Sequence, residues 1–437
     1  MNNTSTRILA DGRTVCNDTW KTGLNNNDII IGPSGAGKTR GYVKPNILQT
    51  AMQGNESMIV TDTKGQLCRE ISGVLRRHCY DVKEINLADC SRSRHGYNPL
   101  EFIRYDRATD SHNTQDIMSI ATTLTPLECY DSFWDLYARQ FLAAMISYVL
   151  ECLPRREHNL NTVMKLFHET GGKNFDKLFG ELCEIAPDSF AATQYKMFHL
   201  SRGAEKMYSS TLGILAEKLV VFAVKGVSNL FTNPNRVRFH DLANKKTAVF
   251  LNISDTDRSM DRIAAVFYTQ ALQNLCNYAD RQPGGRLPIP VRFYLDDFAA
   301  AADCCIPDFD KIISVIRSRE ISVSVILQSL SQIEASYGRP KALTILNNAD
   351  HLLYLGGQDV DTARYIATKA DKATGTILNM PLDRAYLFTR GAKPEQVTKY
   401  KLESHPLYKE TPEHRRQLCK NAAEQTKGPE TSPGLSA

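Results

Sequence analysis

Gly32-Pro33-Ser34-Gly35-Ala36-Gly37-Lys38-Thr39 follows directly on Asp28-Ile29-Ile30-Ile31. The octapeptide has the G-x-x-x-x-G-K-[ST] spacing of a phosphate loop, and the β-branched run before it reads as a buried strand. That order, strand then glycine-rich loop, is what the chemistry needs. Glycines let the loop curl until successive backbone N–H groups converge on phosphate oxygens, and the helix N-terminus that follows adds a favourable dipole. Gly32, Pro33, Ser34, Gly35, Ala36, Gly37, Lys38 and Thr39 are therefore read as a nucleotide-binding loop. Lys38 is expected to reach the β and γ phosphates of ATP, and the Thr39 hydroxyl to ligate Mg2+. Pro45 restricts Lys44, so the first helix is expected to begin with an irregular turn.

Working outward, short apolar runs resembling buried strands recur at Ser57–Thr61, Val82–Leu87, Thr247–Ile253, Val291–Leu295, Ile321–Leu327, His351–Leu355 and Ala385–Phe388. Several are apolar on both faces, as strands of a helix-covered parallel sheet should be. Helical stretches separate most of them; in Asp261–Tyr278, Ile263, Val266, Phe267, Ala271 and Leu275 recur at helix spacing. The alternation predicts an α/β fold with a doubly wound, mostly parallel sheet. Residues 108–235 break the pattern. There Ser132 is placed to cap a long helix carrying Trp134, Tyr137, Phe141, Met145 and Tyr148 at spacings of three and four, read as core packing. The expected organisation is an N-terminal extension (1–24), a nucleotide-binding domain in two pieces (25–107 and 236–408), an inserted all-α domain (108–235) and a polar, proline-containing tail (409–437) expected to be disordered.

Bulk composition narrows the class. With 42% hydrophobic and 23% charged residues, the chain reads as a globular protein. No run reaches the eighteen or so apolar residues of a membrane helix, and residues 1–6 have no apolar core of a signal peptide. The net charge of +5 permits a nucleic-acid partner without arguing for one. Eleven cysteines form no C-x-x-C pair, which suggests reduced thiols of a cytosolic protein and argues against a disulfide framework or a zinc site.

Hydrolysis needs a second half to the site. The run Arg292-Phe293-Tyr294-Leu295 ends in Asp296-Asp297. A carboxylate at the end of a strand facing the phosphate loop can hold Mg2+, a role read for Asp296, and the next one, Asp297, can orient or deprotonate the attacking water. Without the loop upstream, the same pair would read as a solvated loop start. Gln328, closing the run Ile321–Leu327, is either a γ-phosphate and water contact or simply a glutamine at a strand-to-helix turn. Arg317 is either a transition-state cation serving a neighbouring subunit or a surface charge. Arg92, Arg94 and His95 form a small basic cluster and Arg155-Arg156 another; such clusters are usually solvated faces.

The order of these parts resembles the TraG-like type IV coupling proteins, over roughly residues 25 to 408. The resemblance rests on the phosphate loop after its strand, Asp62-Thr63-Lys64-Gly65, Tyr97-Asn98-Pro99-Leu100, Phe133-Trp134 at the opening of the helical region, Leu295-Asp296-Asp297-Phe298-Ala299, and Gln328-Ser329-Leu330-Ser331-Gln332. It implies a RecA-like hexameric ATPase with an all-α domain. Such a motor would bring DNA, bound nonspecifically in single- or double-stranded form, together with relaxase or effector proteins, to a type IV secretion channel. It implies that Gln328 senses the γ-phosphate and that Arg317, eleven residues earlier, acts in trans. Two departures stand out. The family usually begins with transmembrane helices, whereas this chain starts almost at the motor; the expectation is a cytoplasmic protein that is a soluble member, a fragment, or one held at the membrane face by a partner. Asp297 stands where glutamate is usual and is one methylene shorter. The alternatives from other classes are a DNA pump without a secretion partner and a nucleotide-gated adaptor with little hydrolysis.

Overall fold

In this computed structural model, residues 5–426 are described, apart from 128–132, 171, 201–204, 224 and 299–304. The chain opens with an antiparallel hairpin, β1 (Thr6–Ala10) and β2 (Arg13–Cys16). It continues into β3 (Asp28–Ile31), β4 (Ser57–Asp62) and β5 (Asp81–Asn86). A two-residue hairpin, β6 (Tyr105–Asp106) with β7 (Ser111–His112), precedes the helical region. After that region come β8 (Thr247–Asn252), β9 (Val291–Leu295), β10 (Ile321–Leu327), β11 (His351–Tyr354), β12 (Arg384–Thr389) and β13 (Glu395–Thr398). Nine of these form one sheet in the order β5-β8-β4-β9-β10-β3-β11-β12-β13. It is parallel from β5 to β11, while β12 and β13 are antiparallel.

All eight apolar runs expected to be strands lie in this sheet, and β13, which has no apolar signature, adds a ninth. Side chains alternate between two cores, as the pleat dictates. Ile29, Ile31, Ile59 and Val325 point into one, and Ile30, Met58, Val60 and Ile326 into the other. Both faces are helix-covered, so the doubly wound reading holds. The expected helix Asp261–Tyr278 runs as Asp261–Asp280.

The helical region comprises Thr114–Leu124, Phe133–Cys152, Leu160–His168, Lys173–Ile185, Phe190–His199, Glu205–Leu219 and Lys225–Thr232. Its aromatic residues pack as expected: Phe141 stacks on Phe198 with ring centroids 3.9 Å apart. The cap expected of Ser132 lies outside the described residues. Two details differ from the all-helical expectation for 108–235: β7 falls inside it, and its core is continuous with one face of the sheet. The joint is polar and specific. The Tyr97 hydroxyl donates to Gln270 Oε1 at 2.6 Å, and Asn98 Nδ2 donates to the His158 carbonyl at 2.7 Å while its Oδ1 caps the turn Pro99–Phe102. Asn98-Pro99 thus ties the sheet domain to the helical region.

Both termini are docked, the second against expectation. The N-terminal extension is docked: Arg7 is buried and its Nε donates to Asp28 Oδ2 at 2.8 Å, at the foot of β3. The tail expected to be disordered from 409 instead contains a helix, Pro412–Thr426. Its polar face misled the hydropathy reading. What holds it is charge: Glu413 pairs with Arg40, and Arg416 with Glu70 at 3.3 Å. The basic cluster at 92–95 is neutralised locally, Arg92 by Asp89 and Arg94 by Glu84.

Candidate functional site

β3, β10 and β9 run side by side in register, Leu327 beside Ile31 and Val325 beside Leu295, so their carboxyl ends lie together. The phosphate loop leaves β3 there and is tied to the sheet by Gly32 N–H donating to the Leu327 carbonyl at 3.0 Å. Gly35 and Gly37 have φ of +79° and +94°, a left-handed backbone that a side chain would strain. The turn that follows, Lys38–Val43, is a π-helix, and only from Lys44 does an α-helix, Lys44–Gln53, begin. The irregular start is as expected, and Pro45 accounts for it. Its ring would press on the carbonyl four residues earlier in a regular helix, and the widened turn relieves that contact.

Lys38 is buried, and its ammonium donates to the Gly32 and Pro33 carbonyls at 2.6 and 3.2 Å. Burial pulls its pKa down, opposed by Asp297 and Asp296. The Thr39 hydroxyl donates to Asp296 Oδ2 at 3.1 Å across the gap between loop and strand. Asp296 is buried at the end of β9, and burial, with Asp297 adding to it, raises its pKa to about 6. Asp297 adopts φ +49°, unusual for a non-glycine residue and typical of strained functional turns. Gln328 Nε2 donates to Asp297 Oδ1 at 3.1 Å, and the Gln328 N–H donates to Gln332 Oε1 at 2.8 Å. The two glutamines of the Gln-Ser-x-x-Gln segment therefore fix one another and the second aspartate. The cavity enclosed by loop, aspartates and Gln328 measures about 410 Å3.

Among the further residues lining that cavity, none with an assigned site role in the sequence, are Asp62, Arg40 and Lys44. Asp62 ends β4 and accepts N–H groups of Gln66 and Cys68 at 3.0 and 2.9 Å, capping the helix Gln66–Arg77. An acidic residue closing an apolar run, like Asp296, was the signal available. Arg317 is not brought into this site. It is exposed in the turn Arg317–Arg319 at the amino end of β10, and its guanidinium donates to the Thr19 carbonyl at 3.2 Å. Seven strand residues separate the two ends, roughly 23 Å. Ala299 of the Leu-Asp-Asp-Phe-Ala segment lies outside the described residues.

The fit to a magnesium nucleotide is chemical. An open glycine loop supplies N–H donors, Lys38 a cation, and Thr39 with Asp296 two oxygens already within 3.1 Å of each other. Among the described residues no cluster of His, Cys, Asp or Glu suits a different metal, and no helix is long and apolar enough to cross a membrane.

Residues 2–401 match the family described as Type IV secretory system Conjugative DNA transfer. Protein VirD4 of Rhizobium radiobacter is 25% identical over 385 residues, covering 84% of this chain and 53% of its own. The chain thus spans about half the length of the curated relatives it matches. Among solved structures, plasmid coupling protein TrwB in complex with the non-hydrolysable ATP analogue ADPNP superposes with a TM-score of 0.63 at 18% identity, over 87% of this chain and 86% of that one. TrwB with ADP and Mg2+ gives 0.61 at 19% identity, over 86% and 85%. The fold is therefore the RecA-like P-loop fold that the motifs implied.

Proposed function

The chain belongs to the type IV secretory system conjugative DNA transfer family, and from that premise we propose that it is an ATP-hydrolysing coupling protein. In this reading it recruits DNA with relaxase or effector proteins and helps move them into a type IV secretion channel. One observation carries the motor half of the reading: Thr39 and Asp296, 257 residues apart, meet at 3.1 Å beside Lys38. Nothing in a merely structural loop requires that convergence.

The residues divide the work by chemistry. The loop N–H groups of residues 32–39 and the Lys38 ammonium bind the triphosphate. Thr39 and Asp296 hold Mg2+, which when bound supplies charge neutralisation at the phosphates. Asp297 accepts the proton of the attacking water at its carboxylate, and Gln328 holds that carboxylate in place. With Asp in place of Glu the base is one methylene shorter, and the left-handed backbone at Asp297 sets where its shorter side chain projects. Arg317 stands too far from its own loop to act there; it serves a neighbouring subunit, which makes the working form a ring, by family analogy a hexamer. Its place is the cytoplasm, at the membrane face where a channel would be met.

The test is a steady-state ATPase assay of the full chain with and without single- and double-stranded DNA. Magnesium-dependent turnover that Lys38→Ala abolishes is the expected result. A wild-type rate equal to that of Lys38→Ala rejects the motor. Mixing Lys38→Ala with Arg317→Ala protein tests the ring: partial recovery of turnover supports action in trans, and none rejects it.

A further inference from the structure

A separate cavity of about 370 Å3 lies at the joint between the sheet domain and the helical region, and it shares no lining residue with the phosphate cavity. Its apolar wall is Leu100, Ile103 and Leu150, all buried. Tyr105 of β6, His112 of β7, Glu101, Arg155 and His158 complete it. The acids around it already have partners. Glu101 pairs with Arg236, and Asp110 accepts the Tyr105 hydroxyl. Glu157 pairs with Arg156 at 3.8 Å, and Glu151, next to Leu150 on its helix, is turned to Ser189 and the Ala191 N–H. The basic groups differ: among the described residues, no hydrogen bond or ion pair holds the His112 ring or the Arg155 guanidinium. His158 uses one ring nitrogen on the Leu153 carbonyl at 2.8 Å, and among the described residues nothing holds the other. The two imidazoles stand edge to face with ring centroids 6.1 Å apart.

We propose that this cavity binds an organic oxyanion: a carboxylate, sulfonate or phosphate ester on an apolar or aromatic body. The anionic group meets Arg155 and the protonated forms of His112 and His158, and the body lies on Leu100, Ile103 and Leu150. Basic groups without partners beside a buried aliphatic wall suit such an amphipathic ligand, since hydrogen bonds to a charged acceptor are roughly twice as strong as neutral ones. Basic residues on an open surface would be a solvated face; here the wall beside them is sealed from water. The histidines bring a proton into the balance. Burial, with His158 adding to it, holds the His112 pKa below the ordinary imidazole value. An anion between the rings offsets that repulsion and favours the charged form, so binding takes up a proton and tightens as pH falls. Leu100, Tyr105 and His112 precede the helical region, whereas Leu150, Arg155 and His158 belong to it. An occupied cavity therefore ties the two together beside the bond from Asn98 to the His158 carbonyl.

Benzenesulfonate is the probe, because it keeps its charge across the range in which histidine titrates. Inorganic sulfate tests the charge without the body, and benzyl alcohol the body without the charge. The full chain is titrated calorimetrically at constant ionic strength, in two buffers of different ionisation enthalpy. Benzenesulfonate should bind with proton uptake, several-fold tighter at about pH 6 than at about pH 7.5. Sulfate and benzyl alcohol should each bind at least about tenfold more weakly. Arg155→Gln should weaken benzenesulfonate by about tenfold or more, and His112→Asn should cut the proton uptake. Arg155→Gln alters an exposed side chain and keeps the test alive if His112→Asn does not fold. Benzenesulfonate that binds no better than benzyl alcohol, an affinity flat in pH, or binding that Arg155→Gln leaves intact overturns the proposal. None of these outcomes bears on the ATPase reading, whose residues lie in the other cavity.

Discussion

At the carboxyl ends of β3, β9 and β10, Lys38, Asp296 and Asp297 border an open cavity; at the amino ends of the same strands, Arg7, Asp28, Arg292 and His351 are sealed from water. Both are clusters of charge on the same sheet, yet they are built differently. In the basal cluster Asp28 receives Arg7, lies 3.5 Å from Arg292, and accepts the Tyr42 hydroxyl at 2.5 Å. Burial alone would raise the Asp28 pKa, but Arg7, His351 and Arg292 together pull it below the ordinary carboxylate value. At the upper cluster the balance goes the other way: burial and a like charge raise Asp296 to about 6, and Lys38 is lowered. A buried network of opposite charges specifies register and strand order. Charges held away from their preferred states, facing a cavity, are what a reaction uses.

That contrast can be broken by mutation. Asp297→Asn should cut ATP turnover by about 10²–10⁴-fold while nucleotide still binds and melting shifts by under about 0.5 kcal/mol, measured by ATPase assay, calorimetric titration and urea unfolding. Undiminished turnover would remove Asp297 from the reaction. Asp28→Ala should do the reverse, stranding two buried guanidiniums and costing about 3–5 kcal/mol of stability in the same urea assay. A value near zero would mean that the basal charges are not coupled.

His351 sharpens the basal half. Burial, reinforced by Arg7 and Arg292 and opposed by Asp28 and Asp350, holds its pKa at about 4 against 6.5 for the free side chain. The unfolded chain therefore binds the proton first. Stability from this residue is complete above pH 6.5 and falls as pH drops towards 4, by up to about 3 kcal/mol. His351→Asn should flatten unfolding free energy across that window; an unchanged slope assigns the acid sensitivity elsewhere. The smallest effect is expected of Gln328→Ala, a loss of about tenfold in turnover from one hydrogen bond to a carboxylate. A loss as large as that of Asp297→Asn would give Gln328 a direct role at the phosphate.

Much of this was legible in the chain because the informative residues are local. Glycines at 32, 35 and 37, Lys38 and Thr39 form a contiguous word, and each buried strand shows as an apolar run. The pairing of Thr39 with Asp296 could be anticipated because both close strands of a parallel sheet, whose carboxyl ends fall on one edge. What stayed hidden depends on partners far away in sequence. Arg7 looks like any N-terminal cation until Asp28 is placed beside it. Arg40 gains its meaning from Glu403 and Glu413, more than 360 residues on. The helix Pro412–Thr426 has too little apolar surface for a periodicity signal, and charge pairs leave none. β13 is an edge strand with a polar face, paired among the described residues to β12 alone.

The widened turn Lys38–Val43 also fixes how insertions and deletions would act here. Its closing N–H, on Lys44, reaches back five residues to the Thr39 carbonyl. The turn holds one residue more than an α-helical turn, so removing one between 40 and 43 would let it close as an ordinary α-helix with both flanks near their present orientation, whereas adding one would turn one side by about 100° relative to the other. Either the threonine hydroxyl would swing off the aspartate or the following helix would lose its seat on the sheet. Length in this stretch thus matters to the placement of Thr39 as much as any side chain it carries.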